Sequence, residues 1–116
     1  MISSLVFATL IYWSDADSGR LEDGTPFRLH GVDAPETYKP KCEAERIAGF
    51  DAKAAVIELT QSAKTIETKH HYVDDYGRAV IDLEIDGVDL ADMLVEQGLV
   101  QVWDYDGGQV KPNWCS

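Results

Sequence analysis

Three carboxylates and two guanidinium groups of this 116-residue chain have types and spacings suited to phosphoryl chemistry. Asp17, Asp33 and Glu36 fall where turn residues interrupt apolar runs, so they belong to loops at strand ends, where ligand sites are commonly built. Arg28 lies five residues before Asp33 on the run that leads to it, and Arg78 follows Gly77 in a separate turn. The set makes little sense as a nucleophile triad. Hard oxygen ligands instead suit Ca2+ or Mg2+, guanidinium forks suit phosphate oxygens, and one carboxylate can activate water.

The elements that must position these groups follow from periodicity and turn signals. Residues 4–14 read as a buried strand, broken by the turn Asp15–Gly19. Arg20-Leu21-Glu22 starts a short return strand before Asp23-Gly24. Phe27 to Val32 reads as a third strand, stopped by Asp33-Ala34-Pro35. Residues 43–62 predict a helix whose stripe is Ala48, Ala52, Ala55, Leu59 and Ala63. Lys64 to Tyr72 and Ala79 to Asp86 read as two more strands around the turn Asp74-Asp75-Tyr76-Gly77, with Ile81, Leu83 and Ile85 inward. Asp89 caps a short helix through Gln97 that buries Leu90, Ala91, Leu94 and Val95 and stops at Gly98. Three strands, a helix, two strands, a helix and an irregular tail predict an α+β fold dominated by β. Its main layer is a five-stranded barrel with two packed helices, in a single domain over 1–116.

Net charge is −11, from 10 Lys+Arg against 21 Asp+Glu, while 45% hydrophobic residues suffice for a core. Taken alone, that charge argues against a polyanion partner. No stretch has the length of a transmembrane helix, so no membrane insertion is expected. Cys42 and Cys115 lack zinc-ligand spacing. They are either two unrelated thiols or one bridge, which would close a loop of roughly 74 residues and contribute on the order of 4 kcal/mol. A bridge would imply an oxidising compartment. The expectation is then a secreted or periplasmic protein whose signal lies outside this sequence, and otherwise a cytoplasmic one.

The segments Asp15-Ala16-Asp17-Ser18, Phe27-Arg28-Leu29 and Gly31-Val32-Asp33-Ala34-Pro35-Glu36-Thr37 resemble the staphylococcal nuclease (thermonuclease-like) family. So do Asp75-Tyr76-Gly77-Arg78 and Leu94-Val95-Glu96-Gln97-Gly98-Leu99, in the family's order. Cys42-Glu43-Ala44-Glu45-Arg46 and the ending Trp114-Cys115 look like its cysteine-bearing bacterial branch, which implies a Cys42–Cys115 disulfide.

The resemblance implies an OB-fold barrel and a Ca2+-dependent endonuclease that cleaves the P–O5′ bond of DNA and RNA to leave 3′-phosphate ends. By the same resemblance Asp17, Asp33 and the Ala34 carbonyl would hold the metal, Glu36 would be general base, and Arg28 and Arg78 would clamp the phosphate. Tyr76, beside Arg78, could stack on a base. Oxygen ligands by themselves would also admit Mg2+ or Mn2+. A monomer is expected. The alternative is a catalytically weak OB-fold module that binds nucleic acid or a protein partner.

Three departures from the family pattern stand out. Ala16 replaces the usual glycine and would shift the turn if positive φ were needed. The tail is short for the last family helix, and basic residues are few. His70 and His71 point to opposite strand faces and so should not share an ion; His30 is expected to be packed. Tyr72 and Trp103 are expected at the core or rim, and Asp104 to Gly108 as a loop without calcium-loop pattern.

Overall fold

The computed structural model describes residues 5–7 and 10–115. Its elements are β1 (Leu5–Phe7), β2 (Tyr12–Asp15), β3 (Ser18–Arg20), β4 (Pro26–Leu29), β5 (Val32–Asp33), α1 (Glu43–Gln61), β6 (Thr65–Val73), β7 (Ala79–Ile85), β8 (Val88–Asp89), α2 (Leu90–Glu96) and β9 (Gln101–Val102). The fold is mixed α+β, dominated by sheet, with two helices.

The main sheet runs β1-β6-β7-β4-β3-β2, with β8 added to β7, and β5 pairs with β9 separately. Among the described residues this path has two ends and does not close into a five-stranded ring. The strand expected over residues 4–14 is divided, and its residues 4, 8 and 9 lie outside the described residues. Its two parts pair at opposite edges, β1 with β6 and β2 with β3. The return strand begins earlier than expected, at Ser18, because Ala16 and Asp17 alone make the turn. The strand expected from Phe27 to Val32 breaks at Gly31, whose φ of 81° leaves the extended region. Val32 and Asp33 then pair with Val102 and Gln101 instead, so part of the expected irregular tail is strand.

β7 is the buried centre, with Ile81, Leu83 and Ile85 turned inward as the alternation requires. Phe27, Leu29, Leu83, Leu90 and Leu94 are fully enclosed, and Trp13 meets Phe27 edge-on at 5.3 Å. Helix α2 follows expectation: Asp89 caps it by accepting from Asp92 N–H, and Leu90, Ala91 and Leu94 are buried while Val95 is partly so.

Helix α1 has the expected span but a rotated face. Its buried residues are Glu45, Gly49, Ala52, Val56 and Thr60, whereas Ala48, Ala55 and Leu59 are only partly buried. An apolar count misses this because two contact positions are polar and one is glycine. Thr60 Oγ1 donates to Val56 O and accepts from the indole of Trp13, so its polarity is satisfied inside the core. Cys42 caps α1 and forms a disulfide with Cys115, with their Cα atoms 5.9 Å apart. Among the described residues, no helix is long and apolar enough to cross a membrane.

Candidate active site

A cleft of about 630 Å3 gathers Asp17, Arg28, Asp33, Ala34, Glu36, Tyr76 and Arg78 on its lining. All the residues expected at a phosphate site thus meet in one place. The sheet explains how. β4 and β7 are parallel neighbours, with Phe27 opposite Ala79 and Arg28 opposite Val80, so the start of β7 delivers Arg78 beside the strand of Arg28. The β2–β3 turn carries Asp17 to Ala34, whose backbone N–H donates to Asp17 Oδ2 at 2.9 Å. Thr37 N–H and Oγ1–H both donate to Asp15 Oδ1, tying the Asp33–Thr37 loop to the same turn.

Ala16 is fully buried, and Asp86 is the one non-glycine residue with positive φ among the described residues. The turn therefore does not need glycine at position 16, and the expected shift has no conformational basis. Asp17 is half-buried on the wall of the cleft. Burial, reinforced by Asp33 and Asp15 and opposed by the Ala34 N–H and Arg28, pushes its pKa up to about 6.

Arg28 is buried, donates from Nη2 to Val32 O at 2.9 Å, and stands 5.4 Å from the centre of the Trp103 ring. Arg78 donates from Nε to Asp74 Oδ2 at 2.9 Å and lies 5.4 Å from the exposed Tyr76 ring. Asp74 also accepts through Oδ1 from the backbone N–H groups of Tyr76 and Arg78. Burial would raise the Asp74 pKa, but the Arg78 and Tyr76 hydrogen bonds and the Arg78 charge outweigh it and lower the value. Gly77, at φ 80°, lets the chain turn tightly enough for this ring of contacts.

Asp33 is buried and has a partner on each oxygen. Lys111 Nζ donates to Oδ1 at 2.7 Å and Trp114 Nε1 to Oδ2 at 2.8 Å. Lys111 also approaches Glu36 Oε2 at 3.9 Å and the Trp103 ring at 5.6 Å. Burial opposes the charge on Lys111, but Asp33, Glu36 and Asp17 outweigh it and raise its pKa.

Sequence reasoning missed Lys111, Trp114, Asp74, Glu45 and Gly49 as site residues. Buried Glu45 accepts from Glu36 N–H at 3.1 Å and Lys41 N–H at 2.8 Å. Burial raises its pKa, yet those two bonds, with Lys41 and Lys111, bring it below the usual range. Gly49 lies against the loop: a Cβ there would stand 2.8 Å from Glu36 O and 3.1 Å from Pro35 O. The one available signal was the four-residue spacing of Glu45 and Gly49 on the helix. Tyr72 and Trp103 line the cleft, as rim rather than core.

Asp17, Asp33 and the Ala34 carbonyl offer hard oxygen donors, and the crowding of Asp17 by Asp33 and Asp15 is what a divalent cation would relieve. The donor set suits an oxygen-preferring dication, which would share Asp33 with Lys111 or displace it.

A small sheet-dominated α+β fold with an acid-and-guanidinium cleft is the class these features define. The profile described as "Staphylococcal nuclease homologue" matches residues 26–113, and the chain belongs to that family. The match includes Arg28, Asp33, Ala34, Glu36, Tyr76 and Arg78 and begins after Asp17. The chain is 32% identical over 85 residues to "Probable staphylococcal-like nuclease CAN1" of Oryza sativa subsp. japonica. Those residues are 73% of this chain and 23% of that protein, so the chain spans less than a quarter of the relative's length.

Proposed function

We propose that this chain is a Ca2+-dependent endonuclease that hydrolyses the P–O5′ bond of DNA and RNA and leaves 3′-phosphate ends. The observation that carries the reading is the meeting of Asp17, Arg28, Asp33, Glu36 and Arg78, from separate turns and strands, on one cleft. Glu36 orients and deprotonates the attacking water, whose oxygen bonds to phosphorus as the P–O5′ bond breaks; O5′ leaves as a hydroxyl with a proton from water. Arg28 and Arg78 hold the non-bridging oxygens and offset the charge that grows on them. Asp17, Asp33 and the Ala34 carbonyl would hold Ca2+, which supplies further electrostatic stabilisation when bound; Mg2+ and Mn2+ are the other candidates for this donor set. Tyr76, 81% exposed at the rim, stacks on a base.

We further propose that residues 1–116 act as one monomeric domain of the five-stranded OB-barrel type, in which β1 and β2 occupy the two sheet edges that a barrel would join. The disulfide supports placement in the cysteine-bearing bacterial branch and an exported, periplasmic or secreted location.

One observation favours a second reading, a catalytically weak OB-fold module that binds nucleic acid or a protein. Both oxygens of Asp33 already have internal partners. The two readings separate when single-stranded DNA is incubated with wild type, Glu36→Gln and Arg78→Ala, each with Ca2+ or with EGTA. Calcium-dependent cleavage lost in both variants supports the nuclease. Equal calcium-independent background in all samples overturns it.

A further inference from the structure

Outside the cleft, His30, His71 and Asp82 each offer one ligand atom, and these atoms all lie within 4.8 Å of one another. Among the described residues this is the one group of three such side chains so close. The sheet assembles it from three adjacent strands. Asp82 is on β7, His30 directly follows β4, and His71 is on β6, with β7 between the other two. Strands two spacings apart are separated by roughly 9–10 Å. The two imidazoles nevertheless stack with centroids 4.2 Å apart and 18° between planes, so both lean over the central strand.

The β6–β7 register shifts between His70 and Tyr72, which leaves His71 as the extra residue of a bulge. Lys69 pairs with Asp82, so alternation along β6 puts His71 on the same face as Asp82. His71 Nε2 lies 2.9 Å from Asp82 Oδ2. His70 stays in register opposite Ile81. The alternation rule correctly separates His70 from His71; the partner it could not supply is His30, from another strand. A second carboxylate stands close by: Asp106 Oδ2 is 3.9 Å from His30 Nε2, and Tyr72 O–H donates to both Asp106 oxygens at 2.8 and 3.0 Å.

We propose that His30, His71 and Asp82, with Asp106 as fourth ligand, form a site for a transition-metal dication of the Zn2+ type, at the edge of the cleft and apart from its Asp17 and Asp33 carboxylates. Two imidazole nitrogens and two carboxylates are a ligand set for Zn2+ or Co2+ and a poor one for Ca2+, which takes six to eight oxygens. Bonds of about 2.0–2.1 Å place tetrahedral ligand atoms roughly 3.4 Å apart, so the atoms of His30, His71 and Asp82, within 4.8 Å of one another, close by side-chain rotation on the scale of an ångström. The imidazoles must leave their stack for the in-plane lone pairs to converge. Side chains 40%, 30% and 25% exposed at His30, His71 and Asp82 leave room for that rotation and for ion entry. The Tyr72 hydroxyl orients Asp106 as outer partners of metal ligands do.

The bound ion links the Asp106 turn to the sheet through His30. Tyr72 and Asp106 also line the nuclease cleft, so the ion places positive charge at its rim. In a protein of net charge −11, that is where an approaching polyanion gains most from it.

The test is calorimetric titration of the tag-free full chain with Zn2+ in excess Ca2+, paired with Co2+ absorption and NMR of the histidine ring protons. One equivalent of Zn2+ binds, Co2+ gives the intense visible bands of a tetrahedral site, and Zn2+ shifts the rings of His30 and His71 but not His70. His30→Ala and His71→Ala each weaken Zn2+ by at least about tenfold, whereas His70→Ala and Glu36→Gln leave it unchanged. Absence of Zn2+ binding, equal binding by His71→Ala and wild type, or an equal loss in His70→Ala overturns the site. Loss confined to Glu36→Gln would move the ion to the cleft and also overturn it. None of these readouts depends on nuclease activity.

Discussion

Lys111 and Asp33, 78 positions apart in sequence, form a 2.7 Å ion pair at the floor of the cleft. The tail carrying Lys111 is held by Trp114 on the other oxygen of the same carboxylate and by the Cys42–Cys115 disulfide. An internal ammonium therefore stands on a carboxylate that the proposed reaction needs for its metal. A hydrogen bond to a charged group contributes about 1.5–3 kcal/mol, and each 1.4 kcal/mol is a factor of ten. Under the calcium reading, Lys111→Met raises Ca2+ affinity by roughly tenfold in calorimetric titration. Unchanged or weaker affinity would show that Lys111 does not compete with the ion.

Glu45 and Gly49 hold the loop that presents Glu36 without touching the cleft chemistry. Glu45→Gln leaves one buried N–H without its acceptor, at a cost of about 1–3 kcal/mol, read as a Tm lower by several degrees. Gly49→Ala forces the Glu36 carbonyl aside. Under the nuclease reading both variants lower kcat more than they change KM, because the proposed base is misplaced while the proposed arginine clamps still hold substrate. A loss carried wholly by KM would exclude a positioning role.

Asp74 organises the turn that aims Arg78. Arg78→Ala should reduce kcat by about a hundredfold or more, as loss of a transition-state donor does. Asp74→Asn keeps the shape but not the charge of that contact, and its kcat falls by a smaller factor, roughly tenfold. Single-turnover cleavage of an oligonucleotide measures both, and a wild-type rate in Asp74→Asn would refute the assignment.

Asp17 binds its proton more tightly folded, near pKa 6, than at its ordinary value of 3.8. The folded chain therefore holds more protons between those values, so the group's contribution to stability falls as pH rises through that window. In EGTA, wild type should be most stable relative to Asp17→Asn below about pH 4, losing ground up to about pH 6 and levelling above. Thermal melts across pH test this; parallel curves for the two proteins would show that the Asp17 pKa is not raised on folding.

The net charge of −11 bears on substrate encounter. Added salt ordinarily weakens nucleic-acid binding by screening attraction. Here it also screens a global repulsion, over about 10 Å at 0.1 M. kcat/KM on single-stranded DNA should stay flat or rise from low to moderate salt, and a steep decline would show that local cationic groups dominate.

The residues of the cleft were legible because turn signals and strand periodicity are local. Asp17, Arg28, Asp33, Glu36 and Arg78 could be named from spacing and residue type, and helix α2 from the Asp89 cap and its apolar face. The face of α1 was less legible, since Glu45, Gly49 and Thr60 are buried by hydrogen bonds and close backbone approach rather than by apolarity. The sequence by itself determined the chemical inventory, the acids, the guanidinium groups and the cysteine pair, together with the two helices and the longer strands. Tertiary structure alone decided that Lys111 and Trp114 reach Asp33, that Asp74 aims Arg78, and that His71 stacks on His30 from a strand two places away. Those relationships depend on parallel pairing, antiparallel pairing and a covalent crosslink between distant segments, none of which leaves a periodic trace in the chain.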